Sequence, residues 1–132
     1  MWIRMSGSGK KREVRIVDGG LLVNGQFSGN GLSHYNGYVN VARPSNDVYN
    51  GGNIINIEGV TGFDKLTVRA AGRMSGYGFL RVGVNGVRKE FPESDQKREI
   101  EFDLNGSSVR QIECVIYNNY GSAAIYDIIA HN

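Results

Sequence analysis

Glu99, Glu101 and Asp103 alternate along one short run and are the residues best spaced for acid–base chemistry. A glycosidase needs two carboxylates at a defined separation across the scissile bond, and alternate side chains on a strand stand about 7 Å apart. Ile100, Phe102 and Leu104 occupy the intervening positions. That period of two sends the apolar set inward and turns the acids to solvent. Lys97 and Arg110, close in sequence, soften the repulsion between the acids. A glycosidase using Glu99 with Glu101 or Asp103 therefore ranks behind a solvated strand face. The other nucleophilic and basic residues do not assemble into a motif. His34 and His131 are the only histidines, and no Gly-x-Ser-x-Gly elbow occurs. Cys114, the single cysteine, shares a strand face with Ile112 and Ile116 and is expected to be a small core hydrophobe. Gly7-Ser8-Gly9-Lys10 departs from a phosphate loop, because Lys11 stands where a hydroxyl is required and Arg4 where the first glycine belongs. No catalytic residue and no cofactor is expected. Asp18, Asp47 and Asp127 are the carboxylates that would serve a structural Ca²⁺, but no Asp-x-Asp-x-Asp-Gly loop frames them.

The tyrosines carry the stronger signal. Tyr35, Tyr38 and Tyr49 are interleaved with Asn36, Asn40, Arg43, Asp47 and Asn50, and Tyr117-Asn118-Asn119-Tyr120-Gly121 repeats the mixture. A flat ring offers a stacking surface, and amides and charges hydrogen-bond hydroxyls. The expected ligand-contact set is Tyr35, Tyr38, Arg43, Asp47, Tyr49 and Tyr120. The rings would stack, and Arg43 with Asp47 would orient hydroxyls or a carboxylate. The same composition also suits a protein interface.

Strands must position these residues. Leu66, Val68 and Ala70 alternate with Lys65, Thr67 and Arg69, and Ile112, Cys114 and Ile116 alternate with Gln111 and Glu113. Asn85-Gly86 between two apolar runs predicts a tight hairpin, since both residues tolerate positive φ. Asp18-Gly19-Gly20 predicts a turn after a short strand ending at Val17. Residues 28–53 predict a long irregular stretch with a short strand at 38–41. No segment has helical periodicity. Nineteen glycines and only two prolines fit many tight turns between short strands. The fold class is therefore all-β: an antiparallel, jelly-roll-like β-sandwich in a single domain of about nine to ten strands. The expected boundaries are a flexible basic arm over residues 1–12 and the sandwich over residues 13–132.

The formal charge of +2 is unevenly spread: residues 1–17 hold five basic side chains and one acidic, the remainder ten and twelve. A near-neutral body gives no electrostatic footprint for nucleic acid, and none is expected as a partner. One cysteine excludes an intrachain disulfide. Charges follow Met1 at once with no apolar h-region, so no signal peptide is expected, and no run is long and apolar enough for membrane insertion as a helix.

Three segments resemble jelly-roll domains of phage and prophage tail-associated structural proteins, which are themselves similar to carbohydrate-binding modules. They are Val14 to Gly20, Val60 to Ala70 (VTGFDKLTVRA) and Ile116 to Ile128 (IYNNYGSAAIYDI). The resemblance implies a non-catalytic structural and adhesion module. Its partners would be cell-surface polysaccharide or other virion proteins, it would form a homo-oligomer, and it would reside in the virion or, before assembly, in the host cytoplasm. A carbohydrate-binding module of a polysaccharide-degrading enzyme and a purely structural assembly protein are the alternatives. The body departs from secreted carbohydrate-binding modules in having no tryptophan after Trp2.

Overall fold

The computed structural model describes residues 2–7, 10–13, 16–23, 26–28, 33–35, 38–42, 52–117 and 121–131; side chains are described for 38–41, 53–58, 60–117 and 121–131. These residues form β1 (Trp2–Gly7), β2 (Lys10–Glu13), β3 (Ile16–Val23), β4 (Gln26–Ser28), β5 (Ser33–Tyr35), β6 (Tyr38–Ala42), β7 (Gly52–Val60), β8 (Lys65–Gly76), β9 (Phe79–Val84), β10 (Val87–Glu90), β11 (Arg98–Asp103), β12 (Val109–Tyr117) and β13 (Gly121–His131). No described residue is helical.

The last eight strands wind as a jelly roll. β6 pairs with β13, β7 with β12, β8 with β11 and β9 with β10, all antiparallel. The four pairs alternate between two sheets. One sheet contains β6-β13-β8-β11 and the other β7-β12-β9-β10, closed by the β13–β8 and β12–β9 ladders. This is the double-sheet arrangement that protects most strand edges by wrapping one long hairpin around itself.

The earlier strands extend both sheets. β3 continues the second sheet beyond β7, with Asp18, Gly19 and Gly20 paired to Asn56, Ile55 and Ile54. The turn expected at Asp18-Gly19-Gly20 is thus strand interior: the neighbouring β7 supplies ladder partners that outweigh the local turn preference of Asp and Gly. In the first sheet, β1 runs parallel to the second half of β13, and β2 returns antiparallel to β1. The basic segment expected as an arm therefore carries strand pairing, because β13 is longer than β6 and offers its Asp127–His131 edge.

The core follows the alternation. Leu66, Val68 and Ala70 of β8 face Leu80, Val82 and Val84 of β9 across the sandwich, with Phe102, Ile112, Ile116, Ile125 and Ile128 completing the same buried cluster. Asn85 and Gly86 both take positive φ, 51° and 83°, as the hairpin requires. Asn105 and Gly106 repeat those angles, 51° and 81°, so the chain leaves β11 after Asp103 and turns at Asn105-Gly106. Gly72 is needed for a different reason. The 92–96 turn crosses β8, where Arg73 N–H donates to the Ser94 carbonyl at 3.0 Å, and a Cβ on Gly72 would overlap the Pro92 carbonyl oxygen.

Cys114 lies fully buried, and burial with the nearby Glu113 charge pushes its thiol far above the ordinary cysteine range. The thiolate is the reactive species. The native protein should therefore leave Ellman's reagent unreacted and release one equivalent of thiol per chain only after unfolding in guanidinium. Rapid labelling of the native chain would contradict this burial.

The two sheet edges at β10 and β11 are joined by Lys89. Its ammonium donates to the Glu101 carbonyl at 2.5 Å and lies 5.2 Å from the Phe102 ring centroid. A lysine turned inward at an edge blocks pairing with a second chain.

Candidate functional site

The first sheet's outer face gathers the charged residues the sequence offered for catalysis. Register places Glu99, Glu101 and Asp103 of β11 opposite Arg69, Thr67 and Lys65 of β8, which in turn oppose Asp127, Ile129 and His131 of β13. Lys65 Nζ reaches Asp103 at 2.9 Å and Glu101 at 3.1 Å, and Arg69 reaches Asp127 at 3.4 Å. Hydrogen bonding and charge from Lys65 hold the Asp103 carboxyl below its ordinary range, and Asp103 with Glu101 raises Lys65. A carboxyl held ionised in this way is a poor general acid. His131 Nε2 lies 2.9 Å from the Thr67 hydroxyl and 3.7 Å from Glu101. Both contacts fall on one ring nitrogen, so the three residues do not form a nucleophile–base–acid relay, which needs both nitrogens.

The Lys65 network sets a pH expectation. Asp103 has a depressed folded pKa, so its contribution is present above the ordinary carboxylate value, about 3.9, and is lost as pH falls through the folded value. Lys65 is the converse: its contribution is present below the ordinary lysine range and lost as pH rises past it. Asp103→Asn should lower Tm at neutral pH and converge with the native chain in strong acid. A constant offset down to pH 2 would remove Asp103 from the acid limb.

The described strands bring few of the expected contact residues together. Tyr38 is half-buried on the first sheet's outer face, its ring 5.8 Å from that of Tyr126 and tilted by 50°. Tyr126 is turned outward by the β13 bulge, donates to Met74 Sδ at 3.7 Å and lies beneath Lys97 Nζ at 4.3 Å. Tyr35 lies in β5, paired in register with Tyr38, and its side chain is outside the described residues. Arg43, Asp47, Tyr49 and Tyr120 lie wholly outside them. The strand ends flanking these last four are described. Ala42 is opposite Ser122, Gly52 opposite Val115, Tyr117 opposite Phe79 and Gly121 opposite Gly76. Those ends all belong to the same end of the sandwich. Of the three carboxylates considered for Ca²⁺, Asp127 is engaged by Arg69, Asp18 is a strand residue and Asp47 is not described. Among the described residues, no group of three or more His, Cys, Asp or Glu is placed to hold a metal.

The second sheet's outer face contains a groove the expected set did not include. It is an open depression of about 980 Å³ across β7, β9, β10 and β12. Asn56 and Gln111 are register partners on its floor, and Gly83 lies opposite both Arg88 and Glu113. Arg88 Nε and Glu113 Oε2 stand 3.6 Å apart over Gly83. A Cβ on Gly83 would come within 2.9 Å of that carboxylate oxygen, so glycine keeps the floor low enough for the pair to lie across it. Glu58 and Arg110, both exposed, add one charge of each sign where the β7–β12 ladder shifts register. The groove's far wall is tied by the Thr61–Ser108 hydroxyl contact and by Asn85 Nδ2, which donates to the Ser108 carbonyl at 3.1 Å. Tight turns thus fix the wall while amides and ionised groups face solvent. Such a lining offers both hydrogen-bond donors and acceptors at the surface.

These residues escape a linear reading because each looks like ordinary strand polarity. Asn56 and Gln111 are 55 positions apart and meet only through the β7–β12 ladder. Gly83 is the one local signal, since an isolated glycine within a strand marks a close approach. No protein-family model matches the chain, and neither a curated protein nor a solved structure matches it.

Proposed function

We propose that this chain is a non-catalytic structural and adhesion module of a phage or prophage tail, and that it holds a cell-surface saccharide in the groove of the second sheet. The groove lining carries this reading. Sugar hydroxyls both donate and accept, and paired amides with an Arg–Glu couple match that mixed demand. The low floor at Gly83 lets the Arg88–Glu113 pair lie flat across the groove, where a sugar's hydroxyls can reach both charges. The tail association rests on the resemblance of the segments at 14–20, 60–70 and 116–128. Homo-oligomerisation belongs to the same proposal, and a monomer by light scattering over a wide concentration range would remove it.

A glycan array including bacterial wall polysaccharides tests the proposal, with the native chain run beside Gln111→Ala and Tyr38→Ala. Binding lost in Gln111→Ala and kept in Tyr38→Ala supports the groove. Binding lost only in Tyr38→Ala moves the ligand to the tyrosine-bearing face of the first sheet. No binding by the native chain, even as a multimer, overturns adhesion through glycans and leaves the assembly role.

A further inference from the structure

We infer that the groove continues into an aromatic subsite formed by Phe79, Arg81 and Tyr117, so that the site takes an internal stretch of a linear oligosaccharide rather than a single terminal sugar. This rests on the saccharide reading of the groove. Glu113, Val115 and Tyr117 follow Gln111 at alternate positions of β12, on one face. From Gln111 to Tyr117 the strand advances about 20 Å, the length of several sugar units. At its far end Tyr117 and Phe79 are cross-strand partners with nearly parallel rings, 15° apart in plane and 5.7 Å between centroids. Tyr117 packs on Ile54 and Val115, an apolar pair on this outer face that is itself shielded from water. Arg81 lies with its guanidinium 4.3 Å from the Tyr117 centroid and donates to the Tyr117 hydroxyl, which fixes the ring's orientation. Both rings remain partly exposed. A fixed aromatic pair beside a charged donor matches a sugar, whose C–H face packs on a ring while its hydroxyls bond to the guanidinium. The hydrogen-bonding groove and the stacking platform thus lie in line along one strand.

The test is a length series read by calorimetry. β-1,4-linked glucose and N-acetylglucosamine oligomers of two to six units are titrated into the native chain, Phe79→Ala and Tyr117→Phe. The inference predicts that affinity rises about tenfold or more from two units to the longer members. Phe79→Ala should abolish that gain, and Tyr117→Phe, which keeps the ring, should retain most of it. Thermal unfolding of each variant confirms that the fold is kept. Affinity independent of length, or a gain that survives Phe79→Ala, overturns the aromatic subsite and leaves the groove standing. Failure of every oligomer to bind overturns the subsite together with the groove reading.

Discussion

Phe102→Ala should destabilise the protein by about 3–5 kcal/mol, the range for removing a buried aromatic ring. Phe102 is 1% exposed and opposes Leu66 on the inward face of β11. It is one of the largest side chains fully enclosed by the sandwich. The lost ring removes transfer energy and leaves a space that the neighbouring strands, held by antiparallel ladders, fill only in part. It also takes away the surface beside which the Lys89 ammonium lies as it bonds to the Glu101 carbonyl. Urea unfolding should show a lower midpoint with an unchanged slope. Glu99→Ala, on the opposite and exposed face of the same strand, should move the midpoint by no more than about 0.5 kcal/mol. Equal effects at 99 and 102 would contradict the assignment of faces.

The largest expected effect on binding comes from Gly83→Ala. The new Cβ would stand 2.9 Å from Glu113 Oε2, 3.3 Å from Glu113 Cβ and 3.5 Å from Arg88 Cγ. The nearest of these is the far end of a flexible side chain, so the fold tolerates the change. The ion pair across the groove floor does not, because Glu113 must swing aside and Arg88 loses its partner. Saccharide affinity should fall by about tenfold or more, with Tm within a few degrees of the native value. The combination separates a binding role from a structural one. A large drop in Tm would mean that the pair is chiefly structural, and unchanged affinity would place the ligand elsewhere.

Much of the fold was legible because its cause is local. The two-residue period of β8, β11 and β12 identifies their buried faces, and Asn85-Gly86 supplies the positive φ angles of its hairpin. Cys114 in line with Ile112 and Ile116 gives its burial directly. Glycines inside strands were harder. Gly19 and Gly20 read as a turn, yet they sit in β3 against Ile55 and Ile54. What stabilises them there is a ladder to residues more than thirty positions away, which no local pattern encodes. The parallel pairing of β1 with β13 is hidden for the same reason. The groove was the least legible feature. Arg88, Gln111 and Glu113 carry the polar half of an alternation whose ordinary meaning is solvent exposure. They meet in one groove only because four strands place them side by side. Of the tyrosine set, Tyr38 packs with Tyr126 on the first sheet, the sheet opposite the groove. Tyr117, noted only as flanking Tyr120, is the ring that the β9–β12 ladder brings beside Phe79.

The most direct measurement is an amide NMR titration of the ¹⁵N-labelled chain with the saccharide that scores highest on the array. Binding in the second sheet's outer groove predicts shifts concentrated at Asn56, Gly83, Arg88, Gln111 and Glu113, fading toward the Lys65–Asp103 face of the first sheet. Shifts confined to Tyr38, Tyr126 and their neighbours, with the groove amides unmoved, would contradict it.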